Sequence, residues 1–196
     1  VQPVKRLSGA TLGIVGFGRI GQATAQRARA MRMRVIAYDP YMRPGTEKVF
    51  GVEMVSFEEL LSTSDVVSLH SPLTKETEGL IDDDALSRMK SDSILVNTSR
   101  GSVVNTAALA KALRSGKIAA AGIDVLPIEP ASEDEPLIQL WREADETNVN
   151  LIITPHVSSD DNGNYVKLTL ELFVKNLKFF IKKKELTNQI DKELGY

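Results

Sequence analysis

The sequence contains no cysteine, which excludes disulfides, thiolate metal sites and thiol nucleophiles and is compatible with a reducing compartment. It holds only 2 histidines and 1 tryptophan, so imidazole chemistry is confined to two positions. No stretch approaches the roughly 20 apolar residues of a membrane span, and the start of the chain lacks the charged-then-apolar pattern of a secretory signal. The expectation is a cytoplasmic protein. A dominant charge is missing as well: 24 Lys and Arg against 26 Asp and Glu leave −2, which gives no global attraction for nucleic acid or membrane. What remains is an ordinary globular composition, 42% hydrophobic and 26% charged over 196 residues, enough for a substantial core. Charge is uneven nonetheless. Lys5, Arg6, Arg19, Arg27, Arg29, Arg32, Arg34 and Arg43 crowd the first part of the chain, where Asp39 is the only acid, and they read as a solvated face near a phosphate site.

The most informative run is Gly16-Phe17-Gly18-Arg19-Ile20-Gly21. It lies between a short apolar run, Thr11 to Val15, and a helical pattern that places Ile20, Thr24, Ala28 and Met31 on one face. A second strand pattern, Val35 to Asp39, follows. In that context the glycines have distinct duties: Gly16 permits the tight turn, Gly18 lets the backbone approach a pyrophosphate, and Gly21 lets the helix lie close to the strand. The helix then directs free N–H groups and its positive end at the phosphates. Asp39 stands where a carboxylate accepts hydrogen bonds from the adenosine ribose and repels a 2′-phosphate, which favours NAD over NADP.

Further along, strand patterns alternate with helical ones. Strands are expected at Val52 to Val55, Asp65 to His70, Ser93 to Thr98, Ile118 to Val125 and Asn150 to Thr154; helices at Phe57 to Leu61, Asp83 to Lys90 and from the cap Asn105 to Leu113. A long connection from Pro127 to Asn148 holds a helical turn around Leu137 to Trp141. This rhythm predicts a doubly wound, parallel α/β sheet, because crossover helices must cover both faces. The last helix, Asn164 to Lys184, carries an apolar stripe of Val166, Leu170, Phe173, Leu177 and Phe180 that needs a partner surface. Asp82-Asp83-Asp84 read as helix caps, not as a metal site. Tyr41 and Trp141 read as packing residues.

Both histidines fall just beyond strands and beside prolines, in His70-Ser71-Pro72 and Pro155-His156. Ligands of open α/β sheets bind at the carboxyl ends of strands. Arg100, Asp124 and Glu129 share that edge. Hydride transfer from a nicotinamide to a carbonyl needs a proton donor with a pKa near neutrality, a group that orients it, and a cation for an acidic substrate. His156, Glu129 and Arg100 are the residue types for those roles, although spacing alone does not bring them together.

Taken with Tyr38-Asp39-Pro40, His70-Ser71-Pro72-Leu73-Thr74, Asn97-Thr98-Ser99-Arg100-Gly101, Gly122-Ile123-Asp124-Val125, Glu129-Pro130 and Thr154-Pro155-His156, the chain resembles the coenzyme-binding domain of the D-specific 2-hydroxyacid dehydrogenases. The resemblance implies a Rossmann NAD-binding domain over 1–158. It also implies a C-terminal helix and return segment over 159–196, leading toward a substrate lobe of roughly one hundred residues that would precede the first strand. It implies that Arg100 orients the substrate carboxylate, that His156 is the acid/base and that Glu129 is its carboxylate partner. Arg19 and Ile20 would lie against the pyrophosphate, Thr98 and Asp124 near the nicotinamide, and His70 and Pro72 along the cofactor cleft. The implied reaction passes a hydride between NAD(H) and a D-2-hydroxy acid or its 2-oxo acid, in a homodimer, and the chain by itself is expected to bind NAD and catalyse poorly. Two departures stand out: Leu126 replaces a usual aromatic, and the stretch from Pro130 to Asn150 is longer than in many members. The same motifs occur in the NAD(H)-sensing C-terminal-binding-protein corepressors, which leaves an interaction protein as the alternative.

Overall fold

The computed structural model describes residues 6–143, 149–159 and 164–189. The chain forms two compact units, Val1–Pro155 and His156–Tyr196. In the first, strands β1 (Thr11–Val15), β2 (Arg34–Tyr38), β3 (Glu53–Met54), β4 (Val66–Leu69), β5 (Ile94–Asn97), β6 (Ala120–Ile123) and β7 (Leu151–Ile153) build one sheet. Its order is β3-β2-β1-β4-β5-β6-β7, and every neighbouring pair is parallel. The winding reverses between β1 and β4. That crossover puts the loops after these two strands side by side at the carboxyl edge of the sheet, the position where ligands of such folds sit.

Helices cover both faces, as the alternation of side chains along the strands requires. Leu12 and Ile14 of β1 and Val35 and Ala37 of β2 point to one face, where Ala25 and Ala28 of α1 (Arg19–Ala30) and the loop residues Phe17 and Val52 meet them. Val15, Ile36, Val67, Leu69, Leu95 and Ile123 point to the other. There Leu60 and Leu61 of α3 (Phe57–Thr63), Leu86 of α4 (Asp83–Arg88), Leu109 of α5 (Thr106–Arg114) and Leu137 of α6 (Pro136–Arg142) complete a larger core. A short helix, α2 (Thr46–Phe50), lies on the α1 side.

Four of these helices cap their own N-termini. Ser56 accepts a hydrogen bond from the Glu59 N–H in α3, Asp82 from Ala85 in α4, Asn105 from Ala108 in α5 and Glu135 from Leu137 in α6. The acids after Asp82 are also engaged, Asp83 with Lys111 and Asp84 with Arg88. α1 differs, with neither a side-chain cap nor an acid in its first turn.

Two sequence expectations are corrected. α1 does not bury the face of Ile20 and Met31, which are 69% and 53% exposed; it buries Gly21, Ala25 and Ala28. The cause is a close approach, because a Cβ on Gly21 would stand 2.3 Å from the Gly16 carbonyl oxygen. That contact sets the helix rotation and selects small residues along the buried line. Tyr41 and Trp141 are each 50% exposed and belong to neither core. The Tyr41 hydroxyl instead donates to Glu76.

In the second unit, α7 (Asn164–Ile181) ends before Lys182 to Lys184, and Lys183 adopts a φ of 52°. The expected stripe is solvent-facing: Val166, Leu170, Phe173, Leu177 and Phe180 are all exposed. Beyond the helix the chain turns back. Asn176 donates to the Thr187 carbonyl and accepts from its N–H and hydroxyl, at 2.9, 3.0 and 3.0 Å. Of the expected return segment, residues through 189 are described and 190–196 lie outside the described residues. Among the described residues no helix is long and apolar enough to cross a membrane.

The rotation of α1 gives a direct expectation for stability. Ala25→Leu should overpack the helix–sheet contact and cost about 1–3 kcal/mol, whereas Ile20→Ala should stay within about 0.5 kcal/mol of the parent. Urea denaturation of the two variants checks this, and the reverse order would reinstate the other face.

Candidate functional site at the carboxyl edge of the sheet

The site begins where β1 meets β4. Gly16 leaves β1 with φ 89°, a left-handed conformation that side chains rarely adopt. A Cβ there would lie 2.6 Å from the Ser71 nitrogen and 2.7 Å from the His70 carbonyl carbon, so the turn is pressed directly on the segment after β4. The Gly16 N–H donates to the Tyr38 carbonyl at 2.9 Å and the His70 N–H to the Val15 carbonyl at 2.7 Å. Phe17 then inserts its ring fully into the core, edge-to-face with Phe50 at 5.8 Å. Its backbone is held from both sides: the N–H donates to Asp39 Oδ2 at 2.8 Å, and the carbonyl accepts from Gln22 at 2.9 Å.

Gly18, by contrast, faces open space, since a Cβ built there meets nothing within 4 Å. Arg19 and Ile20 are exposed beside it. The uncapped start of α1 therefore offers backbone N–H donors into a space that a side chain would otherwise narrow. Together with Asp39 on one flank and His70 and Pro72 on the other, this donor set fits a dinucleotide. The N–H groups and the helix end suit a pyrophosphate, and the Asp39 carboxylate suits ribose hydroxyls. Asp39 Oδ1 also accepts from the Tyr41 N–H at 2.9 Å, so both carboxylate oxygens are aimed before any ligand arrives.

His70 is half-buried, and its Nε2 lies 2.9 Å from the Ser68 hydroxyl. Burial pushes its pKa below the ordinary 6.5, which keeps the ring neutral near physiological pH.

A second cluster forms after β5 and β6, organised by Asn97. This side chain is wholly buried; its Oδ1 accepts from the Ser99 N–H and hydroxyl at 3.0 and 2.9 Å, and its amide donates to the Arg100 carbonyl at 3.0 Å. Its main-chain carbonyl accepts from the Asp124 N–H at 2.9 Å. Thr98 and Arg100 are thus presented outward from a loop tied to the end of β6, and the Arg100 guanidinium rests on the Ser99 carbonyl at 2.7 Å. Gly101 seals the junction. A Cβ on it would stand 2.0 Å from the Leu126 carbonyl carbon, so only glycine lets the two loops touch. Leu126, buried where an aromatic was expected, donates its N–H to Glu129 Oε1 at 2.9 Å. Asp124 is 4% exposed and accepts from the Thr154 hydroxyl at 2.6 Å.

Arg100, Asp124 and Glu129 accordingly belong to one connected pair of loops, and Thr98 projects from it. Gly16, Gly18, Arg19, Ile20, Gly21, Asp39, His70 and Pro72 surround the β1–β4 crossover. His156 opens the second unit, exposed and with φ 54°. Sequence reasoning met Asn97, Phe17 and Thr154 inside motifs but gave them no role of their own. A polar residue ending an apolar strand and an aromatic between two glycines were the available signals.

Residues 1–158 match the family model described as the D-isomer specific 2-hydroxyacid dehydrogenase, NAD binding domain. The chain is 45% identical over 186 residues to a glyoxylate reductase of Korarchaeum cryptofilum, covering 95% of this chain and 53% of that protein. It is 45% identical over 151 residues to a D-3-phosphoglycerate dehydrogenase of Mycobacterium leprae, covering 77% of this chain and 27% of that one. The NAD-complexed D-isomer specific 2-hydroxyacid dehydrogenase of Lactobacillus delbrueckii ssp. bulgaricus superposes with a TM-score of 0.82 at 30% identity, over 96% of this chain and 58% of that one. The chain spans about half the length of the glyoxylate reductase it matches.

The shifted histidine yields a signed expectation. Because the folded pKa is lowered, the unfolded chain binds more protons just below pH 6.5, so this contribution to stability is full above 6.5 and is lost as pH falls through the window below it. NMR titration should place the His70 midpoint below 6.5, and His70→Asn should flatten the acid limb of the stability profile.

Proposed function

The chain belongs to the D-isomer specific 2-hydroxyacid dehydrogenase family and forms its NAD binding domain, and on that footing we propose that its protein interconverts a D-2-hydroxy acid and the 2-oxo acid. The observation that carries this is the pairing of an open, uncapped phosphate turn at Gly16–Gly18 with the Arg100–Glu129 loop pair on the same sheet edge. Bound NADH would supply the hydride for the carbonyl carbon. The residues of this chain provide the rest. Gly18, Arg19, Ile20 and Gly21 would hold the pyrophosphate, Asp39 the adenosine ribose, and His70 and Pro72 would wall the cleft. Thr98 and Asp124 would lie toward the nicotinamide.

In this reading Arg100 pairs with the substrate carboxylate through its planar fork and draws density from the neighbouring oxo group. His156, as imidazolium, gives its proton to the alkoxide oxygen formed on reduction and takes it back on oxidation. Glu129 would be the carboxylate partner that holds the orientation of that ring. The named relatives are reductases and dehydrogenases, which disfavours the corepressor-like sensor. The further parts of the proposal are a homodimer, a cytoplasmic location and a substrate pocket completed by a lobe beyond these residues. The absence of cysteine and the relatives' greater length support the last two.

Calorimetry on the 196-residue chain should show saturable NAD+ binding. Asp39→Ala should weaken NAD+ and narrow its margin over NADP+; an unchanged margin would remove Asp39 from the ribose. In the complete protein, His156→Ala should lower kcat for 2-oxo acids by about a hundredfold or more, the scale of general acid catalysis, with NADH affinity retained. Undiminished kcat would take the proton away from His156.

A further inference from the structure

Ser71 is 7% exposed, and its hydroxyl is the one buried side-chain polar atom among the described residues with no hydrogen-bond partner. Native folds rarely leave such a group unsatisfied, since its lost hydration is not returned. Its neighbours make the exception sharper. Three positions before it in the chain, Ser68 pairs with the His70 ring at 2.9 Å. On the other side, the Pro72 carbonyl accepts from the Thr77 hydroxyl at 2.7 Å, and the Thr74 N–H donates to that same hydroxyl at 2.8 Å. The hydroxyls on either side, of Ser68 and Thr77, are thus partnered, while that of Ser71 is not.

The location gives the orphan a meaning. The Ser71 nitrogen and Cα lie 2.6 and 2.8 Å from where a Gly16 Cβ would stand, so the residue underlies the very turn whose next glycine opens to the ligand space. An apolar residue would fill this spot without loss. Resting on the reading of this edge as an NAD site, we propose that Ser71 is a positioning residue of the phosphate turn, its hydroxyl gaining a partner in the loaded state, either a pyrophosphate oxygen or a water bound to one. The hydroxyl then couples ligand occupancy to the packing of β4 against the turn. It is costly in the free protein and useful in the bound one.

This predicts effects of opposite sign. Ser71→Ala removes the orphan, so the thermal midpoint of the free chain should hold or rise, while NAD+ affinity falls about fivefold, the scale of one net hydrogen bond. ADP-ribose, which keeps the pyrophosphate and lacks the nicotinamide, should lose the same factor. Ser71→Cys preserves the shape with a much weaker hydrogen-bonding group and should bind like the alanine variant; full affinity in the cysteine variant would mean that Ser71 only fills space. NAD+ affinity of Ser71→Ala within twofold of the parent, or a loss for NAD+ absent for ADP-ribose, would overturn the assignment. Failure of the parent chain to bind NAD+ would be a different result, overturning the NAD reading and this inference with it.

Discussion

The contact of Gly16 with the His70–Ser71 peptide is the constraint on which the rest depends. A parallel sheet wound outward in both directions must have one place where adjacent strands begin opposite crossovers, and here that place closes to backbone-on-backbone distance. Any side chain at Gly16 would part β1 from β4. Once the two strands are that close, Gly21 must follow so that α1 can sit on the turn, and the helix rotation is decided. Phe17 pins the loop from below. Asp39 pins it from the side. The backbone of the turn is thereby held from several sides, which would lower the entropic cost of binding a phosphate there.

The second cluster obeys the same logic with different residues. Asn97 spends its whole side chain on the loop that displays Thr98 and Arg100, and Gly101 lets that loop touch the one carrying Glu129. A flexible arginine on a free loop would pay ordering entropy for each substrate carboxylate. Here the backbone carrying it is fixed by buried hydrogen bonds, and the exposed guanidinium itself rests on the Ser99 carbonyl. Rigid backbone with exposed tips is the form expected of a site that must bind, react and release.

Much of this was legible in the sequence because its signals are local. Alternation and turn residues located the strands, and Asn105 and Asp82 announced helix starts that the structure shows capped. The glycine fingerprint located the tight turn between β1 and α1 through spacing. Non-local contacts were not legible. The buried line of α1 depends on a carbonyl of Gly16, which periodicity cannot sense, so the face of Ile20, Thr24, Ala28 and Met31 grouped buried Ala28 with exposed Ile20 and Met31. Asn97 resembled any polar strand end until its partners at Ser99, Arg100 and Asp124 were visible. For the candidate site, motifs supplied the residue types at the strand ends, while the linkage between the Arg100 and Glu129 loops required a packing contact at Gly101 that no single-chain pattern encodes.

One detail of the helix ends carries a broader consequence. α3, α4, α5 and α6 each close their first turn with a residue of their own, whereas α1 leaves its first turn to something outside the sequence. On the proposed reading, a bound phosphate would supply that missing cap. Occupancy of the turn would then be written into amide protection at Arg19, Ile20 and Gly21, and local hydrogen exchange would gauge the nicotinamide nucleotide available to the domain.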